Sequence, residues 1–361
     1  MQNNQIIILH DLNGKPYYEA VEYYAKKNNI QILYYESSVF KLFIRDIVKH
    51  QFGINTIKRT ITNSIFRLKV PFIKNKTIII GMAPYDFRII WYKKLLKNNN
   101  LIYSTSHPFW GDESKNPRKY GLFTFIFRNS WKNFLKDKKL KISTVTKRAY
   151  NTLKKNYEIN GKISQIYHTV DTSKFHKGVK EEDNKFHILF AGKLLYEKGL
   201  DTIIELIETM DNEKYHFHIV GDGEYKDKIS YVFEYENVTY HGWISDKTEL
   251  ANIYQQCHIF LNPSIKNSKW QELFGIVNIE AMASGLVVIA SDHIGPSEII
   301  ESGVNGFLVE EKESSEISNI IKSLYEDRDL FQAICKQAIK SSKRYSIETI
   351  AKEWKKVINE K

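Results

Sequence analysis

Short apolar runs recur along this chain, each followed by a longer polar stretch, and the alternation breaks once and then resumes. Residues 5–12 (QIIILHDL) open as a buried strand, and 31–37, 76–83, 100–107, 141–146 and 163–170 read as further strands. Helix-forming stretches between them give a strand–helix alternation, which predicts a parallel α/β sheet. A polar stretch, residues 171–185 (DTSKFHKGVKEEDNK), then interrupts it. Beyond it strands are expected at 186–192, 217–223, 237–243, 258–264 and 286–291, with a helix over 199–210 and helices to the end. A length of 361 residues exceeds what one hydrophobic core usually holds. Two successive α/β domains follow, 1–172 and 185–344, hinged at the polar stretch. The last segment, 345–361, reads as a helix with Ile347, Ile350, Ala351 and Trp354 on one face.

The net charge of +11 is divided unevenly. Residues 1–180 carry 33 Lys/Arg against 11 Asp/Glu, whereas residues 181–361 carry 20 against 31. Such asymmetry turns the first half toward something anionic. Residues 39–76 hold nine basic residues and one acid, and VFKLFIRDIVKHQF can form a helix with Lys41, Arg45 and Lys49 four apart. With Lys58 and Arg59 these are the expected contacts to an anionic membrane surface, since basic amphipathic helices bind such bilayers. A second basic run covers 115–155. Nucleic acid is the competing partner, but no recognised binding motif supports it. Only Cys257 and Cys335 are present, without metal-ligand spacing, which fits a reducing, cytoplasmic setting. The N-terminus does not read as a signal peptide, and no apolar run approaches the roughly 18 residues of a membrane span. The expected location is the cytoplasm, peripheral on the cytoplasmic face of the membrane.

Chemistry concentrates in residues 272–306, ELFGIVNIEAMASGLVVIASDHIGPSEIIESGVNG. A helix should begin near Phe274–Gly275 and stop at Gly285, and LVVIAS should follow as a strand covered on both faces. Glu272 lies just before that helix. Glu280 sits within the apolar IVNIEAMA, where a carboxylate needs a partner such as a ligand hydroxyl. Upstream, FAGKLLYEKGL (190–200) runs from a strand through a loop into a helix, with Lys193 and Lys198 flanking the loop. Two ammonium groups at a strand's carboxyl end can hold a diphosphate; solvated loop charges are the simpler reading. Gly221 and Gly223 follow a strand directly and allow a tight turn or close approach of backbone to a ligand. His107 ends LIYSTSH at a strand tip, where ligands of open α/β sheets gather, with Trp110 close by.

The pair Glu272 and Glu280, with Phe274-Gly275-Ile276-Val277 between them and Ala-Met-Ala-Ser-Gly after, resembles the E-x7-E motif of family-4 retaining glycosyltransferases. Residues 190–199 resemble the family's G-R-x-x-x-x-K-G signature, with Lys193 in place of arginine. The match is close over about 190–310 and holds in outline before that. The resemblance implies a GT-B fold, two Rossmann-like domains facing across a cleft, with helix 345–361 packing back on the first. It implies sugar transfer with retention from a UDP- or GDP-linked donor, no cofactor and no required metal. Lys193 and Lys198 would hold the diphosphate, the amides of Phe274, Gly275 and Ile276 a phosphate or hydroxyl, and Glu280 the ribose. Glu272 would hold donor-sugar hydroxyls, Ile244 the base by its backbone, and Gly14 would mark the usual glycine loop of the first domain. His107 would position the transferred sugar, and the domains would close about 171–185. A glycan or lipid-linked acceptor at a membrane is the expected partner. A sugar-nucleotide 2-epimerase of the same outline and a non-catalytic basic membrane- or nucleic-acid-binding protein are the other readings.

Overall fold

The apolar runs become strands of two sheets. The computed structural model describes residues 5–11, 14–48, 53–180, 184–267 and 270–360. The chain forms two units, one made of Met1–His168 with Ile350–Lys361 and the other of Thr169–Thr349.

The first unit carries β1 (Gln5–His10), β2 (Gln31–Glu36), β3 (Thr77–Gly81), β4 (Asn100–Thr105), β5 (Lys141–Thr144) and β6 (Lys162–Gln165). Between and after these strands run α1 (Glu19–Lys27), α2 (Val39–Val48), α3 (Ile54–Lys69), α4 (Ile89–Tyr92), α5 (Thr124–Leu135) and α6 (Lys147–Asn156). The sheet order is β2-β1-β3-β4-β5-β6 and every pairing is parallel. Parallel strands require crossovers, and the intervening helices provide them. Alternate residues feed two cores: Ile7, Leu9, Ile78 and Ile80 join Trp131 and Phe134 on one face. Ile6, Ile8, Ile79 and Ile102 lie on the other.

The second unit carries β7 (Phe186–Ala191), β8 (Tyr215–Val220), β9 (Val238–Gly242), β10 (Ile259–Asn262), β11 (Val287–Ser291) and β12 (Phe307–Val309). Its helices are α7 (Leu200–Thr209), α8 (Lys226–Ile229), α9 (Lys247–Gln256), α10 (Ile276–Ala283), α11 (Ile294–Ile299), α12 (Ser314–Glu326) and α13 (Arg328–Ser342). The parallel order is β12-β11-β10-β7-β8-β9, the dinucleotide-fold order with its reversal between β7 and β10. Helix α10 stops as its sequence dictates. Gly285 takes φ +77 and donates to Met282 O at 3.2 Å, while Leu286 N–H reaches Ala281 O at 3.0 Å, closing a Schellman turn.

Helix α14 (Ile347–Asn359) ends the chain and places Ile350, Ala351, Trp354, Val357 and Ile358 in the second core of the first unit. Its last carbonyls are capped from the sheet: Lys141 Nζ donates to Val357 O at 2.8 Å, and Asn100 Nδ2 to Ile358 O at 2.9 Å. A buried lysine there satisfies carbonyls that the helix cannot.

Candidate active site

Loops at the reversal between β7 and β10 carry most of the residues singled out above. Past β7, Lys193 is exposed, and a single turn over Tyr196–Lys198 leads into α7. Gly199 takes φ +72, and a Cβ there would lie 1.8 Å from the carbonyl oxygen of Pro263, so the turn rests directly on the β10 loop. Only glycine combines that dihedral with that approach. The two loops are also joined by bonds from Ile265 N–H to Glu197 O at 2.9 Å and from Asn267 Nδ2 to Glu197 Oε1 at 3.1 Å. This junction brings Lys198 Nζ to 2.7 Å from Glu272 Oε2, with the two side chains only 19% and 15% exposed. The same ammonium lies 4.9 Å above the Trp270 ring.

The peptide of Glu272 is held on both sides by the residues that start α11. Its N–H donates to His293 Nδ1 at 3.3 Å, and its carbonyl accepts from Gly295 N–H at 3.3 Å. A Cβ on Gly295 would sit 2.4 Å from the backbone of Phe274, so glycine is again what permits the contact. His293 is buried, and with Nδ1 accepting, its Nε2–H donates to Glu311 Oε1 at 3.0 Å. Burial works against the Glu311 carboxylate, but the bond from His293 and the neighbouring Lys266 hold it below its ordinary range.

Helix α10 begins beside this pair. Gly275 caps it at φ +80, and a Cβ there would be 3.5 Å from Glu272 Cγ. The first-turn amides following Phe274, at Gly275 and Ile276, point out of the helix start, where an anion is favoured. The start is anchored to β10 by a buried chain: Ser264 Oγ donates to Asn262 Oδ1 at 2.9 Å, and Asn262 Nδ2 to Asn278 Oδ1 at 3.0 Å. Glu280, one turn along from Ile276 and only 7% exposed, has a side chain that leans back toward the helix start. Burial, and then the Glu280 charge, drive the nearby Tyr254 phenol well above its usual pKa. A cation and a carboxylate thus meet beside a helix start, a set able to hold a phosphate together with sugar hydroxyls.

Gly221, Gly223 and Ile244 belong to the same unit. Gly221 takes φ +139, and a Cβ on it would lie 1.8 Å from Gly192 O; one on Gly223 would lie 2.3 Å from Leu194 O. The backbone they let approach is that of the β7 loop on either side of Lys193. Ile244 is half-buried in the loop between β9 and α9. Among the described residues no three His, Cys, Asp or Glu side chains are grouped to hold a metal ion.

In the first unit, His107 lies just past β4, its N–H donating to Thr105 Oγ1 at 3.2 Å. Its Nε2 is buried without a hydrogen-bond partner among the described residues, and burial pushes the imidazole down to about 4. Trp110 close by is buried in the core against Tyr103, Trp131 and Tyr157. Gly14 is buried after β1, where a Cβ would fall 2.7 Å from the His10 side chain. Asn13 beside it lies outside the described residues.

Sequence reasoning missed a charged cluster at the carboxyl ends of β1 and β3, where the first sheet reverses order. Arg88 Nη2 is 2.7 Å from Asp11 Oδ1 and 2.6 Å from Asp86 Oδ2, while Arg118 Nε is 3.2 Å from Asp86 Oδ2. Burial alone would raise the Asp11 pKa, but Arg88, Ser37 and Arg118 hold it below its ordinary value. His293, Glu311, Asn262 and Asn278 were missed too, as single polar residues beside apolar strands.

The basic set divides. Lys41 and Lys58 are exposed, and Arg45 lies 3.3 Å from Asp46. Arg59 does not present a free charge outward as expected: it is held at 2.6 Å from Asp46 and 3.4 Å from Glu36, because those buried or half-buried acids need a partner. Lys49 lies outside the described residues.

Part of the chain is similar to known families of proteins. Residues 171–341 match the model of the family described as glycosyl transferases group 1. The paired parallel units are the GT-B fold. The structure of HepE from Anabaena in complex with UDP superposes with a TM-score of 0.69 at 17% identity, covering 98% of this chain and 99% of that one. Among curated relatives, an uncharacterized 41.2 kDa protein in the cps region of Klebsiella pneumoniae is 34% identical over 39% of this chain and 37% of its own. The N,N'-diacetylbacillosaminyl-diphospho-undecaprenol alpha-1,3-N-acetylgalactosaminyltransferase of Campylobacter jejuni is 27% identical over 48% and 45%. The amylovoran biosynthesis glycosyltransferase AmsD of Erwinia amylovora is 23% identical over 99% and 92%. The chain spans between 37% and 59% of the length of the first curated relatives it matches.

Proposed function

We propose that this chain is a retaining glycosyltransferase of family 4 that moves a sugar from a UDP- or GDP-linked donor to a glycan or lipid-linked acceptor at a membrane. The product would be cell-surface polysaccharide or glycolipid. The observation that carries the reading is the Lys198–Glu272 pair at 2.7 Å beside the start of α10, at the reversal of the second sheet. Lys198 and Lys193 would neutralise the diphosphate as the bond from the sugar's anomeric carbon to phosphate oxygen breaks, so that no metal is required. The acceptor oxygen would bond to that carbon on the same face, its proton passing to the departing phosphate. Glu272 would orient the sugar, Glu280 the ribose, Ile244 the base, and neutral His107 the transferred sugar. The names of the Campylobacter and Erwinia relatives support a lipid-linked or polysaccharide acceptor. The basic first unit supports a peripheral position on the cytoplasmic face of the membrane.

The test is thermal melting with saturating UDP, GDP, ADP or CMP, on the wild type and on Glu280→Ala. A nucleotide at about 100 times its dissociation constant should add roughly 2.7 kcal/mol, lost in the variant. A shift with none of the four removes the reading, and donor conversion without any acceptor replaces it with epimerisation.

His293 gives a finer test of how Glu272 is set. His293→Ala is expected to weaken binding of the sugar nucleotide about tenfold while the nucleotide alone binds as before, because one hydrogen bond orienting Glu272 is lost. His293→Asn, whose side-chain oxygen can accept from Glu272 N–H in place of Nδ1, should recover most of the loss. Equal weakening of both ligands would mean that His293 supports the fold and not the carboxylate.

A further inference from the structure

Helix α3 is built inside out. Ile54, Ile57, Ile61, Ile65, Leu68 and, just beyond, Phe72 recur every three or four residues and are between 39% and 78% exposed. They form one stripe about 27 Å long at 1.5 Å per residue. The inward side is mostly polar: Thr56 Oγ1 donates to Asp46 Oδ2 at 2.8 Å, and Asn63 Oδ1 accepts from Glu36 N–H at 2.9 Å. Arg59 joins the same acids, Arg67 donates to Ser37 O, and Phe66 stacks on Tyr35 at 3.9 Å. A helix in water turns its isoleucines to the core, whereas this one is tied to the sheet by hydrogen bonds and turns them outward. Helix α2, beside it, exposes Ile44, Ile47 and Val48 as well. A contiguous apolar face of this extent marks an interaction surface.

Charge selects the occupant. Residues 39–76 contain nine Lys/Arg and a single acid, Asp46. Asp46 is buried beneath the helices and paired with Arg59, so it does not reach the outer surface. Lys41, Lys58 and Lys69 are exposed on these helices. A second copy of the chain would bring the same cationic surface against itself, and a nucleic acid offers nothing to a stripe of isoleucines. Acyl chains beneath anionic headgroups satisfy both the stripe and the lysines.

We propose that α3 and the outer face of α2 lie in the interface of an anionic bilayer, with the isoleucine stripe among acyl chains and the lysines at headgroup phosphates. The contact is insertion first and electrostatic attraction second. This deepens the membrane-associated reading above and rests on it for its purpose.

The experiment is co-sedimentation with phosphatidylglycerol-containing and pure phosphatidylcholine vesicles, at low and high salt. Wild type should bind the anionic vesicles more tightly and retain part of that binding at high salt. The double variant Ile61→Asn/Ile65→Asn should partition at least about tenfold more weakly at both salts, while Lys58→Gln/Lys69→Gln should lose mainly the low-salt, anionic component. Wild-type sedimentation with neither vesicle, or a double variant that binds like wild type, overturns the proposal. So does a lipid-free dimer that the double variant dissolves, which would assign the stripe to a second copy. The nucleotide-induced melting shift is read on the same samples: vesicle binding without it keeps this surface and removes the transferase, and the converse keeps the transferase alone.

Discussion

Lys198→Met is expected to lower turnover by a factor of about 10² to 10³, the loss typical when a preorganised group facing developing charge is removed. The reason lies in its burial. At 19% exposure beside Glu272 and over Trp270, the Lys198 ammonium is fixed before any phosphate arrives and is poorly screened by water. Lys193 is exposed, so Lys193→Met should cost under about tenfold, because a solvated charge contributes little. The substitution at 198 also leaves the Glu272 carboxylate largely withdrawn from water without its cation. A modest fall in melting temperature should accompany it, and Lys198→Met/Glu272→Gln should recover the stability but not the rate. Steady-state rates and melting curves on these variants, with the donor identified by the nucleotide screen, check all of this. Equal losses at 193 and 198, or a wild-type rate in Lys198→Met, would detach the buried ion pair from catalysis.

What the sequence disclosed followed the strength of its local signals. Apolar β-branched runs such as 77–81 and 287–291 can be little else than buried strands, and the strand–helix alternation carried both sheets. Strand β12 gave no such signal: Phe307–Val309 is three residues long and follows Gly306 directly. The contact of Lys198 with Glu272 joins residues 74 apart. Nothing local announces it, and only the resemblance of both segments to one family placed them in a common site. The Asp11–Arg88–Asp86–Arg118 cluster was invisible for the same reason, since it exists only because β1 and β3 are neighbours in the sheet. His293 looked like an ordinary residue after a strand, and its role depends on a backbone contact with Glu272. Helix α3 shows a deeper limit. Periodicity says which residues share a face, but not whether the core or something else lies behind that face.

The stability of the fold should fall steeply between pH 6.5 and 4, because three histidines, His258 buried and His107 and His168 half-buried, are held neutral. Burial brings His107 down to about 4 and, with His10 nearby, His168 to about 4; burial with Lys180, His187 and Arg328 brings His258 to about 2. Each folded-state value lies below the unfolded value near 6.5, so these groups favour the native state fully above that pH. As the pH falls the unfolded chain takes up protons that the native chain refuses, and stability is lost. Refusing the proton that the unfolded imidazole accepts costs each of these groups on the order of 3 kcal/mol by pH 4, and two of them lie in the first unit. Loss of about 6 kcal/mol there is comparable with the whole stability of a typical domain. Asp11 does not offset this, because its lowered pKa makes its own contribution fade only below the ordinary carboxylate range. Denaturant unfolding from pH 7.5 to 4.5 should therefore show a positive slope of stability with pH, reduced by up to one proton in His107→Gln and again in His168→Asn. A flat profile across that window would mean that these imidazoles reach water and charge without unfolding. His107 would then gain its proton near its ordinary value of about 6.5 and not remain neutral down to about 4.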